Sequence, residues 1–157
     1  MKILVDSDSC PVKDLAYKIS SKYNIDILFI TSISHYSINS EIDSSHYIYV
    51  DNFSEAADIE IMNRLGEDDI VISDDYGLAS LVLSKKCYCI SSKGYIYNND
   101  NINSLLTRRY LSKEQRKLNK RVKSTNKKRE KKDNKKFEEK FIKLICSIRR
   151  NKNFSGE

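Results

Sequence analysis

Short apolar runs alternate with amphipathic stretches of helical period along the first hundred residues. Residues 2–5 read as a short buried strand. Pro11 suits the first turn of a helix, and Leu15, Ala16, Ile19 and Tyr23 follow at helical spacing. Residues 25–30 and 47–50 predict a second and a third strand. The stretch between them, 31–46, is Ser-rich and irregular, a length of loop that often serves function. Ser54 is placed to cap a helix whose apolar face is Ala57, Ile61, Met62 and Leu65, with Gly66 at its C′ position. Then come a fourth strand over 69–73, a short helix over 77–83, a fifth strand over 87–90, a turn at Ser92-Lys93-Gly94 and a helix over 102–111. Strands alternating with helices predict an α/β fold with three layers and a mostly parallel central sheet of about five strands.

The pattern changes near Ser112. A basic helix grades into residues 120–136, a run with too few apolar side chains to pack. Phe137, Phe141, Ile142, Leu144 and Ile145 then restore a helical stripe that needs the domain or a partner to cover it. The expected division is an α/β domain over 1–111 and a basic, partly helical or flexible C-terminal extension over 112–157. Charge divides at nearly the same place. Residues 1–107 hold 8 Lys/Arg against 16 Asp/Glu, and residues 108–157 hold 20 against 6. An acidic body joined to a basic tail points to a polyanionic partner.

Other features exclude more than they assign. No stretch approaches the roughly 18 apolar residues of a membrane span, and the first residues enter a strand at once. A cytoplasmic location without a membrane partner is expected. Cys10, Cys87, Cys89 and Cys146 lack a second pair at zinc-ligand spacing and read as ordinary thiols.

The chemistry lies in acids placed at the ends of apolar runs. Asp6 and Asp8 follow Ile3-Leu4-Val5, Asp74 and Asp75 follow Ile70-Val71-Ile72, and Asp58 follows the N-terminal turn of a predicted helix. A buried strand ending in a carboxylate delivers it to the sheet edge where ligands bind in open α/β folds. Converging carboxylates repel unless a cation neutralises them. A hard divalent ion, Mg²⁺ or Mn²⁺, is therefore the expected cofactor, with Asp6, Asp8, Asp58 and Asp75 as ligands and catalytic groups. Such an ion activates water and shields phosphate oxygens in phosphodiester hydrolysis, and Mg²⁺ needs few protein ligands. Asp8 is equally suited to cap the first helix, and Asp74 or Asp75 to cap the helix after them.

Three blocks carry a resemblance. Val5-Asp6-Ser7-Asp8-Ser9-Cys10-Pro11, Glu55-Ala56-Ala57-Asp58 and Ile72-Ser73-Asp74-Asp75-Tyr76-Gly77-Leu78-Ala79 resemble those of the bacterial YaiI/YqxD family, grouped with PIN-like nuclease domains. The likeness runs from Lys2 to at least Leu111. It implies a PIN-like fold and metal-dependent hydrolysis, more readily of RNA. The family pattern usually has Ala where this chain has Ser7 and Ser9, and its acid corresponds to Asp75, leaving Asp74 as an extra carboxylate.

Around the acids, Ser73 and Thr31 end strands and are expected mainly to satisfy backbone. His35 is expected to be an ordinary loop residue. Lys93, Arg108, Arg109 and Arg116 are the candidate phosphate contacts, and Tyr36, Tyr47, Tyr49, Tyr95 and Tyr97 offer base stacking or packing. Three further readings compete. One is a PIN-like scaffold that binds RNA without cutting it. A second is an aspartate-based phosphatase of the haloacid-dehalogenase type, disfavoured because no Lys lies between Lys22 and Lys85. The third is a receiver-like phosphoacceptor using Asp8, Asp51, Ser73 and Lys93.

Overall fold

A computed structural model describes residues 1–8, 10–35, 41–118 and 128–155. Six strands form one sheet: β1 (Ile3–Asp6), β2 (Ile27–Ser32), β3 (Tyr47–Val50), β4 (Ile70–Ile72), β5 (Tyr88–Ile90) and β6 (Ile96–Tyr97). Five helices accompany them: α1 (Lys13–Lys22), α2 (Ala56–Arg64), α3 (Tyr76–Ser84), α4 (Asn99–Lys117) and α5 (Lys131–Ser155). The strand order is β3-β2-β1-β4-β5-β6. All neighbours pair in parallel except β5 and β6. The expected mostly parallel α/β architecture is present.

Side chains of successive strand residues point to opposite faces, and the core divides accordingly. Ile3, Val5, Ile27, Phe29, Ile70, Ile72 and Ile90 meet Ala16 and Ile19 of α1 and Phe137, Phe141, Leu144, Ile145 and Ile148 of α5. On the other face Leu4, Ile30, Val71 and Cys89 meet Ile61 of α2, Leu78, Ala79 and Val82 of α3, and Ile102 of α4. The sheet thus lies between two helical layers. The apolar stripe of α5 covers its own domain and completes the core on the α1 face.

Several local expectations change. β6 is a sixth strand: its two residues are too few to leave a period, and pairing with β5 defines it. Glu55, not Ser54, precedes α2 as its N-cap, with φ of 72° and no side-chain cap bond. Gly66 follows the C-cap Leu65, but among the described residues Gly94 is the one glycine with positive φ. Pro11 lies in a turn before α1, whose N-cap is Val12. α4 extends beyond 102–111 at both ends because Asn98 and Asn101 form a reciprocal capping box at its start.

The topology locates a crevice. From β1 the chain moves through α1 to β2 on one side, then returns through α2 to β4 on the other. β1 and β4 are therefore neighbours whose outgoing connections diverge, the switch point at which ligands bind in open α/β sheets. Asp6 ends β1, and Ser73, Asp74 and Asp75 follow β4.

Candidate functional site at the carboxyl ends of β1 and β4

Ser73 joins the two central strands at their ends. Its hydroxyl donates to Asp6 Oδ2 at 2.9 Å and accepts the Asp75 N–H at 3.0 Å. The expectation that this hydroxyl serves the backbone is thus half met, since it also holds a carboxylate. Asp75 caps α3. Its Oδ1 accepts the N–H groups of Gly77 and Leu78 at 2.7 and 3.2 Å, and Arg109 Nη1 of α4 at 3.1 Å. These bonds use one oxygen of each acid. Among the described residues, Asp6 Oδ1 and Asp75 Oδ2 take no hydrogen bond.

Asp74 is engaged differently. Ser92 donates its N–H to Oδ1 at 2.8 Å and its hydroxyl to Oδ2 at 2.7 Å, so both oxygens are occupied. Behind Ser92 stands Arg129, whose Nη2 donates to the Ser92 carbonyl at 2.9 Å and to Asn134 Oδ1 at 2.7 Å. Arg129 was not singled out from the sequence. It lies in the basic run 120–136, and no spacing signal ties it to a residue 37 positions earlier.

Asp8 turns toward β2. Its Oδ1 accepts the Thr31 hydroxyl at 2.7 Å and the Ser32 N–H at 2.8 Å, and His35 Nδ1 lies 3.6 Å away. Asp8 therefore caps no helix, Thr31 serves a carboxylate rather than the backbone, and His35 sits beside an acid rather than in open loop. Between the two acids, the Ser7 hydroxyl is buried without a partner among the described residues, so a methyl group would serve there as well.

The charges of Asp6 and Asp75 both reach Asp58. Burial lifts the Asp6 carboxyl above its ordinary range; the Ser73 hydroxyl opposes the rise, and Asp8, Asp75 and Asp74 add to it. Burial pushes Asp58 up to about 6, with Asp6, Asp75 and Glu55 adding and Arg109 opposing. Asp8 differs: burial would raise it, but the bonds from Thr31 and Ser32 and the nearby His35 hold it below the usual carboxylate range. A cavity of about 250 Å³ is lined by Asp6, Cys10, Ser73, Asp74, Asp75 and Ser92. A more open depression of about 890 Å³ is lined by Asp58, Asp75, Glu55, Gly77 and Arg109. Asp75 stands in the wall of both.

The candidate cations are spread around this edge. Arg109 is committed to Asp75, and Arg116 Nε donates to the Ser112 carbonyl within α4. Arg108 and Lys93 are exposed. Tyr47 stacks on Phe29 and Tyr49 at the far side of the sheet, which makes both packing residues. Tyr36, Ser9 and residues 119–127 lie outside the described residues. Among those described, no group of three His, Cys, Asp or Glu side chains stands ready to hold a metal ion. No helix among them is long and apolar enough to cross a membrane.

Comparison with known proteins agrees with the three sequence blocks. The profile of the family described as "Uncharacterized BCR, YaiI/YqxD family" matches residues 4–147. A UPF0178 protein of Oceanobacillus iheyensis is 49% identical over 123 residues, which are 78% of this chain and 84% of that protein. A UPF0178 protein of Bacillus cereus is 48% identical over the same length and shares. No solved structure matches the chain. The match to residues 4–147 runs through the acidic edge, Arg129 and the core-facing stripe of α5, and on it the chain belongs to the YaiI/YqxD family.

Proposed function

We propose that the protein is a divalent-metal-dependent phosphodiesterase of PIN-like architecture that acts on RNA. One observation carries the reading: Asp6 and Asp75 meet at the β1–β4 switch point, each with one carboxylate oxygen that takes no hydrogen bond among the described residues, and like charges there raise the proton affinity of Asp6 and Asp58. A fold keeps like charges together at a cost, and a bound cation is the usual compensation. The donors are hard oxygens, which suit Mg²⁺ or Mn²⁺. Mg²⁺ is commonly held by only one or two carboxylates, with water and substrate phosphate filling the other positions. Asp6 Oδ1 and Asp75 Oδ2 supply that number, so the lack of a ready group of three ligands does not count against the fit.

Bound there, the ion supplies Lewis-acid activation of water and shielding of phosphate oxygens. The chain's own residues do the rest. Ser73 fixes Asp6 and the Asp75 backbone as one unit, and α3 orients Asp75 through its first N–H groups. Arg109 offers a guanidinium beside the same carboxylate, and substrate phosphate competes with Asp75 for it. Asp58, with its proton affinity raised into the working range, is suited to exchange a proton with water at the edge. Asp8 acts at longer range, through its charge on Asp6.

The test is calorimetric titration of Mn²⁺ into the wild type and an Asp6→Asn/Asp75→Asn variant, with cleavage of labelled RNA assayed in parallel. Asn keeps an oxygen for the Ser73 hydroxyl and for the α3 cap. Saturable Mn²⁺ binding and cleavage in the wild type, with both lost in the variant, are expected. A wild type that binds no Mn²⁺ even with RNA present removes the hydrolytic reading and leaves a scaffold that binds without cutting.

A further inference from the structure

A third concavity lies beside the acidic edge, and its lining is of another kind. About 490 Å³ in volume, it is bordered by Tyr76 of α3, Tyr95 and Tyr97 of the β5–β6 hairpin, Leu105 of α4, Lys93 of the hairpin turn and Lys136 of α5, with Ser91 and Asp74 at its floor. That size falls within the range of small-ligand sites.

Three tyrosine rings form its wall. Tyr97 is buried, and both Tyr95 and Tyr76 meet it edge-on, with centroids 5.5 and 5.9 Å from its own. Edge-on packing fixes the position of a ring while leaving a face unstacked. Tyr95 is 44% exposed.

The two lysines are held on opposite elements. Gly94, with φ of 78°, lies so close under α5 that a Cβ there would stand 2.8 Å from the Lys136 carbonyl oxygen and 3.0 Å from Phe137 Cα. Phe137 is fully buried in the core on the α1 face. The hairpin turn and the first turns of α5 are thereby held against one another, which brings Lys93 and Lys136 from two elements to the same groove. Both are exposed, and neither ammonium makes an ion pair among the described residues. Lys93 does help to hold the Asp133 carboxyl low, after the Glu130 backbone bond. Asp74 brings the one carboxylate to the lining, and its two oxygens are taken up by Ser92 with Arg129 behind.

An open aromatic face beside two exposed cations is an arrangement that grips an unpaired nucleotide, the ring for the base and the ammonium groups for the flanking phosphates. We infer that this groove is a nucleotide subsite, in which Tyr95 stacks an unpaired base and Lys93 and Lys136 hold adjacent phosphates of a single strand entering the acidic edge. A duplex cannot offer a base to the ring without flipping it out, so the subsite selects unpaired strands. The inference rests on the proposed function for the strand's destination, but the grip itself requires neither metal nor hydrolysis.

The experiment is therefore done in EDTA, by fluorescence anisotropy with a labelled single-stranded RNA, the same sequence as DNA, and its duplex. The full chain is compared with Tyr95→Ala, Tyr95→Phe and Lys93→Gln/Lys136→Gln. Tyr95→Ala weakens single-strand binding about tenfold and Tyr95→Phe restores it, as stacking requires. The double lysine variant lowers the slope of log affinity against log salt by about 1.4, two single-strand phosphate contacts. Single-stranded RNA and DNA both respond; tighter binding of the RNA would assign the 2′-hydroxyl a contact. Unchanged binding in Tyr95→Ala, or duplex binding as tight as that of the single strand, overturns the subsite. Loss of binding in both Tyr95→Ala and Tyr95→Phe does so too, since it would make the hydroxyl rather than the ring responsible. Absence of Mn²⁺-dependent cleavage with this pattern intact would sink the hydrolytic reading alone.

Discussion

Asp69 and Asp6 stand at opposite ends of the same two central strands, and their surroundings differ in kind. Asp69, just before β4, is 2% exposed. Its carboxylate accepts the Lys2 and Gly66 N–H groups at 2.8 and 2.7 Å, with Lys2 Nζ at 2.6 Å and the terminal ammonium at 4.0 Å. Both oxygens are satisfied, and every nearby formal charge named here is positive. Asp6, at the end of β1, receives one hydroxyl, and the charges that act on it are Asp8, Asp75 and Asp74. One acid is a fastener that draws the start of the chain onto β4. The other is buried among like charges, with one hydroxyl to offset them. A carboxylate surrounded by donors and cations belongs to stability, whereas one crowded by its own sign gains nothing from its neighbours' charge.

Asp69→Asn leaves the partly exposed Lys2 ammonium and two backbone N–H groups without their buried carboxylate and should cost about 3 kcal/mol. That is the lower end for a broken buried pair, because Lys2 keeps contact with water. Asp6→Asn removes a charge from a like-charged cluster and should leave the melting temperature unchanged or higher, while abolishing Mn²⁺ binding. Denaturant melts of the two variants beside the wild type decide the matter. If Asp6→Asn loses as much stability as Asp69→Asn, Asp6 is a fastener too and the distinction fails.

The sequence exposed one side of this contrast better than the other. Alternating apolar runs and helical periods placed five of the six strands and predicted the parallel sheet, because each buried strand is a local event. Strand-end acids were legible for the same reason: Asp6, Asp74 and Asp75 follow runs whose ends are visible. What each acid bonds to was not legible. Asp8 goes to β2 and Asp74 to Ser92 through contacts 24 and 18 residues apart in the chain, which no local pattern encodes. The basic stretch concealed most. Its lysines gave no hint that Arg129 clamps Ser92, and the stripe of Phe137 and Phe141 left open whether the domain or a partner covers it; it fills the domain's own core. Removing residues 112–157 would therefore dismantle one face of the domain rather than trim a phosphate-binding arm.

Asp58 offers the finest test of the comparison, because its shift is tied to the same cluster. Burial and the charges of Asp6, Asp75 and Glu55 push its carboxyl from 3.8 up to about 6. A folded-state pKa above the unfolded one means that the folded chain holds more protons between these two values. Stability from this group is then greatest below about pH 4, declines as pH rises toward 6, and is level above it. Asp8, held low, contributes with the opposite sign, so the wild-type profile alone does not isolate Asp58. The difference between Asp58→Asn and wild type does. The variant should gain relative stability as pH rises from 4 to 7 and gain nothing more beyond. The amplitude should be well under that of Asp69→Asn, since Asp58 is half exposed and screened by water. Urea melts at half-unit pH intervals measure it. Repeating them in the Asp6→Asn background should shrink the gain, because one of the charges that raises Asp58 is then gone. A gain of the same size in both backgrounds would mean that Asp58 answers only to its own burial, and that the crowding at the β1–β4 edge does not reach α2.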